Sequence, residues 1–127
     1  MSQSHLKKVP AVVGPYRHAV EAGGWVFVSG QIPVNPETGV VVTDDVREAT
    51  RQALANLTAV LEESGLTLKN VVKTTVYVIN LADFACVNQV YAEFFTEPCP
   101  ARACVQVAAL PKSVPVEIEA IAFRTER

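Results

Sequence analysis

Residues 70–79 read NVVKTTVYVI. β-Branched and aromatic side chains dominate this stretch, which is the composition of a strand. Apolar groups fall on both of its alternating faces, so it is expected to lie centrally in a sheet, largely covered on both sides. The period changes on either side of it. In residues 46–64, Val46, Ala49, Ala53, Leu57, Val60 and Leu61 recur at steps of three and four, building one apolar stripe of a helix. Asp45 followed by Glu48 has the spacing of a capping box, and Gly65 stands where a helix is terminated. Downstream, Phe84, Val87, Tyr91, Phe94 and Phe95 give a second helical stripe over about 82–96, and Pro98 and Pro100 prevent its continuation.

Working outward, 17–22 and 25–29 are short extended runs around Gly23-Gly24, the signature of a tight hairpin. Residues 30–39, GQIPVNPETG, form a loop of defined turns. Residues 101–107 and 115–123 are two more strands joined by AALPKSVP. The order hairpin, helix, strand, helix, strand, strand predicts an α+β fold. It comprises a single mixed β-sheet with two helices packed on one face, in one domain spanning 1–127. In 116–123, Val116, Ile118, Ala120 and Ala122 alternate with Glu117, Glu119, Ile121 and Phe123. The face without helices is therefore not plainly polar, and a symmetric homo-oligomer is the simplest way to bury it.

Composition excludes several classes. Of the 127 residues, 50% are hydrophobic and 19% charged, which is not the mix of a disordered chain. The net charge of −2 leaves no cationic excess to neutralise a phosphate backbone, so nucleic acid is not the expected partner. No apolar run reaches the roughly 18 residues of a membrane span, and MSQSHLKKVP lacks the apolar segment of a secretory signal. Cys86, Cys99 and Cys104 are odd in number and irregular in spacing, which points to a reducing compartment and a cytoplasmic location. His5 and His18 do not make a metal set. Lys7-Lys8 is too short for a basic patch.

Side chains two apart on a strand share a face. Arg102, Cys104 and Gln106 thus point one way, and Glu117 and Glu119 share a face of the following strand. Arginine is a planar cation matched to carboxylates, and glutamate can orient water or move a proton. Two readings are open: a cleft lined by Arg102 and Glu117, or an Arg–Glu salt bridge at an interface. Spacing alone favours the salt bridge. Cys104 has no histidine at a spacing that marks a base partner and reads as a small core hydrophobe, as does Cys86; Cys99, between prolines, reads as exposed. Gly14-Pro15-Tyr16 is a turn presenting an aromatic. Ser29-Gly30-Gln31 ends a strand either where backbone N–H groups face a ligand or where a turn needs glycine for its backbone angles.

Taken in order, GPY at 14–16, SGQIPVNPETG at 29–39, VKTTVYV at 72–78, FACVNQVYAEFF at 84–95, PARACVQVAALP at 100–111 and VEIEAIA at 116–122 resemble the RidA (reactive intermediate deaminase) family. That family has the chorismate-mutase-like fold, and the likeness runs from about residue 9 to 124. It implies a homotrimer with sites in clefts between subunits. It also implies hydrolysis of reactive 2-imino or enamine acids, derived from 2-aminoacrylate and 2-aminocrotonate, to 2-keto acids and ammonia. By the same resemblance Arg102 grips the substrate carboxylate and Glu117 partners the attacking water. Tyr16, Ser29, Gly30, Asn88 and Cys104 line the substrate pocket, Cys104 through its backbone. No metal or organic cofactor is implied. Arg17-His18 after GPY departs from the family's more usual small or amide side chains, Cys99 departs at the rim, and Arg17 would alter substrate range if it faced the cleft. The alternatives carried beside this reading are an endoribonuclease and a non-catalytic binder of 2-keto acids or similar metabolites.

Overall fold

The computed structural model describes residues 9–12 and 14–125; His5, Lys7 and Lys8 lie outside the described residues. Gly23 and Gly24, both at positive φ (59° and 87°), turn β1 (Ala19–Ala22) back on β2 (Trp25–Gln31), in the two-residue geometry that suits the twist of antiparallel strands. Helix α1 (Val46–Glu63) starts as its sequence implies. Asp45 is extended, and its side chain accepts from the Glu48 N–H. It ends at Gly65, whose φ of 79° allows Gly65 N–H to reach Glu62 O and Leu66 N–H to reach Leu61 O. There follow β3 (Val71–Val78), α2 (Phe84–Phe94), β4 (Ala101–Gln106) and β5 (Val116–Phe123).

The strands form one five-stranded mixed sheet in the order β1-β2-β5-β3-β4. β5 is antiparallel to both β2 and β3, and β4 runs parallel to β3 as an edge. The expectation that 70–79 lies inside the sheet holds, since β3 is flanked by β5 and β4; the expectation that it is covered on both sides does not hold within one chain. β5 holds the middle, and β3 lies one place from the edge. Thr74, Val76 and Val78 are buried, while Lys73, Thr75 and Tyr77 on the other face remain half-exposed. The second apolar face of the stretch is thus Tyr77 and the stem of Lys73, at the surface of the chain.

Both helices lie on one face of the sheet. Val26, Val28, Val76, Val78, Ile118 and Ala122 from the strands meet Leu54, Leu57, Leu61, Val87 and Val90 from the helices, all buried. Asn56, buried on α1, donates to the carbonyls of Ile32 and Val34 and so fastens the loop after β2 to the helix. Burying an amide with both its N–H groups paired avoids the desolvation cost and fixes that loop in place. On the helix-free face Trp25 and Phe27 are 44% and 47% exposed, beside half-buried Ile121 and Phe123, with Trp25 packed on Phe123 at 4.7 Å between ring centroids. An exposed apolar patch of this kind marks an interaction surface. Among the described residues no helix is long and apolar enough to cross a membrane.

Candidate active site

The register of the sheet decides where the candidate residues point. Arg102 and Cys104 pair with Thr74 and Val76 of β3, which face the helices, so both side chains turn toward α2. One Nη of Arg102 donates to Asn88 Oδ1 at 2.7 Å. The guanidinium carbon lies 5.3 Å from the Phe84 ring centroid and 4.8 Å from that of Tyr91. Phe84, Asn88 and Tyr91 share one face of α2 because four and seven residues bring a helix back to the same side. Among the described residues Arg102 forms no ion pair. Within one chain, then, Arg102 and Glu117 make no salt bridge.

Cys104 is half-buried against the core, and burial pushes its thiol pKa up, with the charge of Arg102 opposing. A protonated, packed thiol is not a nucleophile, in keeping with its reading as a small hydrophobe. Cys86 is likewise half-buried, and Cys99 is exposed, with its Sγ 4.0 Å from Phe95 O.

Glu117 lies on the other face. It pairs in register with Tyr77, and its neighbours in sequence, Val116 and Ile118, are the ones buried under the helices. Burial and then the like charge of Glu119 raise the pKa of its carboxyl above the ordinary 4.5. Tyr77 is held neutral by burial and by the two glutamates.

Ser29 and Gly30 sit where the β2–β5 register slips between Val28 and Gln31, a bulge that carries one extra residue on β2. Gly30 is not at positive φ. The suggestion that backbone angles require glycine there gives way to a spatial requirement. A Cβ on Gly30 would lie 2.1 Å from Oε2 of Glu117. The Ser29 hydroxyl donates to Arg17 O at 2.6 Å. Buried Gln31 donates to Ser29 O and to His18 Nδ1, and the other ring nitrogen of His18 meets Pro10 O, which assigns the proton to Nε2.

A cavity of about 250 Å³ opens beside this bulge, lined by Tyr16, His18, Gly30, Gln31, Ile32 and Lys112 among others. Tyr16 stands edge-on to His18 at its rim. Of the departing pair Arg17-His18, it is His18 that lines the cavity, while Arg17 is exposed. Lys112 and Ser113 adopt positive φ (56° and 60°) in the turn ahead of β5, a conformation costing of order 1–3 kcal/mol per residue that clusters at functional sites.

Within one chain the candidates thus separate into two groups. Arg102, Asn88 and Cys104 lie on the helix face at the β4 edge; Glu117, Gly30, Ser29 and Tyr16 lie at the β2 bulge and on the open face. Sequence reasoning passed over Phe84, Tyr91 and Lys112 as site residues, and named Gln31 only with the Ser29-Gly30 strand end and His18 only in the departing pair. The one usable signal was Asn88, a polar residue inside the apolar stripe Phe84–Tyr91. The first group is a fixed cation with N–H groups to spare. The second is a carboxylate with raised proton affinity beside a small cavity. Chemically, such a cation can hold an anion and such a carboxyl can carry a proton. Among the described residues no cluster of three or more His, Cys, Asp or Glu side chains gathers to hold a metal ion.

A family model described as Endoribonuclease L-PSP matches residues 6–124. The 2-iminobutanoate/2-iminopropanoate deaminase of Escherichia coli is 52% identical over 121 residues, covering 93% of this chain and 94% of that protein. A crystal structure from Thermotoga maritima, provisionally named an endoribonuclease, superposes with a TM-score of 0.91 at 47% identity and covers 96% of both chains. RidA of an Antarctic Psychrobacter superposes with a TM-score of 0.88 at 43% identity, over 94% of this chain and 96% of that one.

Proposed function

The chain belongs to the endoribonuclease L-PSP family, the RidA family of its resemblance, and from that premise we infer that it is a cofactor-independent deaminase. It hydrolyses small 2-imino acids, such as 2-iminobutanoate and 2-iminopropanoate, to 2-keto acids and ammonia. Arg102 carries the reading, being a guanidinium held in place by Asn88 with no acid group of the described residues to neutralise it.

In this reading the substrate carboxylate docks on the free N–H groups of Arg102 in bidentate fashion. Docking meets part of the entropic barrier by fixing the C=N carbon in place. Glu117 takes a proton from water as the oxygen adds to that carbon and the C=N π electrons move to nitrogen. Glu117 returns that proton to the nitrogen, giving the carbinolamine; as this collapses, the C–N bond breaks, the hydroxyl proton passes through Glu117 to the leaving nitrogen, ammonia departs, and the C=O of the keto acid forms. The raised proton affinity of Glu117 suits both transfers. Ser29 and Gly30 form the floor at the bulge, and Tyr16 closes the rim.

Because Arg102 and Glu117 point from opposite faces of one sheet, they meet only across a subunit seam. We assign the working form as a homotrimer in which each site takes Arg102, Asn88 and Cys104 from one protomer and Glu117, Ser29, Gly30 and Tyr16 from its neighbour. The exposed Trp25 and Phe27 face supports such an assembly. A net charge of −2 favours a small anion over a polynucleotide. Absence of a membrane-length helix and of a disulfide among the described residues suits the proposed cytoplasmic location.

The test generates 2-iminobutanoate from threonine with a dehydratase and follows its capture by semicarbazide. The protein is expected to suppress the captured amount, and Arg102→Ala to abolish that suppression with the assembly intact. Unchanged trapping with wild-type protein would remove the deaminase assignment.

A further inference from the structure

Arg102 has five N–H groups, and Asn88 takes one of them. Phe84 and Tyr91 stand two turns apart on α2, roughly 10 Å along its axis, and the guanidinium carbon lies about midway, 5.3 and 4.8 Å from their centroids. Asn88 occupies the turn between them. Phe84 is 39% exposed, so the core gains little from it. An aromatic ring kept at the surface over a cation gains from the attraction between the charge and its π face. Tyr91 is fixed more deeply: its hydroxyl bonds Thr74 Oγ1 at 2.7 Å in the interior, and its ring packs on Phe95 at 4.6 Å between centroids. Both contacts hold the Tyr91 ring beside the arginine.

We propose that Phe84 and Tyr91 are positioning residues which flank the Arg102 guanidinium and leave only its N–H edge to an incoming anion. This rests on the reading of Arg102 as the carboxylate anchor and adds the selectivity of that anchor. A planar two-oxygen carboxylate meets the edge with two parallel hydrogen bonds. A nucleobase, which would stack on the flat faces of a guanidinium, finds the rings already there. Pre-orientation by the rings also lowers the side-chain entropy lost when the anion binds.

The test compares wild type, Phe84→Leu, Phe84→Tyr and Tyr91→Phe. Two quantities are read: the dissociation constant of 2-oxobutanoate by calorimetry, and kcat and KM for dehydratase-generated 2-iminobutanoate. Phe84→Leu is expected to weaken keto-acid binding and raise KM by about 2- to 30-fold, with a much smaller change in kcat and an unchanged melting midpoint. Phe84→Tyr and Tyr91→Phe, which keep a ring beside the cation, restore wild-type binding. A Phe84→Leu protein that binds as tightly as wild type, or a Phe84→Tyr protein as weak as Phe84→Leu, overturns the proposal while leaving deamination standing. Wild type that binds 2-oxobutanoate without turning over the imine sinks the deaminase reading and leaves the binding comparison to decide this one. Wild type that neither binds nor turns over removes both.

Discussion

The Arg102 guanidinium and the Glu117 carboxylate leave the same sheet by opposite faces, because Arg102 pairs with Thr74 on the helix side while Glu117 pairs with Tyr77 on the open side. A site using both must draw them from different copies of the chain. Arg102→Ala and Glu117→Gln proteins, each inactive alone, are therefore expected to regain activity when co-expressed. In a cyclic trimer one seam joins the intact arginine of one protomer to the intact glutamate of its neighbour, about one site in three of each mixed assembly. Co-purified mixed assemblies assayed for imine hydrolysis check this. Inactive mixtures would place both residues in one protomer's site.

Gly30 leaves no room for a side chain, since a Cβ there would sit 2.1 Å from Glu117 Oε2 and 2.8 Å from its Cδ. Those atoms are the far end of a flexible side chain, so the fold accommodates Gly30→Ala by turning the carboxylate aside. The expected outcome is a melting midpoint close to wild type with kcat reduced by about 100-fold or more, the scale of a misplaced proton carrier. Full activity in Gly30→Ala would show that the position of this carboxylate is immaterial.

The elements were legible because each rests on local chemistry. Asp45 and Gly65 bound α1, Gly23-Gly24 turn the hairpin, and the alternation in 116–123 separates buried Ile118 from half-exposed Glu117. Parity within a strand was legible too: Arg102 shares its side with Cys104, and Glu117 with Glu119. What local pattern does not carry is the relation between strands. β4 and β5 are consecutive in the chain, yet β3 lies between them, parallel to one and antiparallel to the other. The parities of Arg102 and Glu117 are linked only through that intervening register, so spacing did not reveal that the sheet sets them on opposite faces. Phe84 misled for a similar reason, because its place in an apolar stripe does not reveal that the stripe runs past the core to an arginine on β4.

The Thr74–Tyr91 hydrogen bond is buried, and the side chains of both partners are enclosed beneath α2. Thr74→Val keeps the shape and strands the tyrosine hydroxyl without a partner. It is expected to lower the unfolding free energy by about 1–3 kcal/mol in urea denaturation. Adding Tyr91→Phe removes the orphaned hydroxyl, so the double variant is expected to be more stable than Thr74→Val alone. Equal or lower stability of the double variant would show that the hydroxyl finds another partner.

On the proposed mechanism, Glu117 is expected to set the acid limb of activity. Burial, and then the charge of Glu119, raise its pKa above 4.5, and the form that accepts a proton from water is the ionised one. The kcat/KM is therefore expected to fall as pH drops through a value above the ordinary carboxylate range. Glu119→Gln moves that limb to lower pH without bringing it fully to 4.5, because burial remains. The same shift has a sign in stability. A carboxyl whose folded pKa exceeds its unfolded one contributes most below the unfolded value, and that contribution is lost as pH rises through the folded value. Glu117→Gln is thus expected to melt above wild type at neutral pH, with the difference closing as the solution is acidified below the unfolded carboxylate pKa. Melting curves of the two proteins across that range check it. A gap that widens on acidification would mean that the ionised carboxylate is stabilised by a partner on the seam, and that its proton affinity in the assembly is lowered.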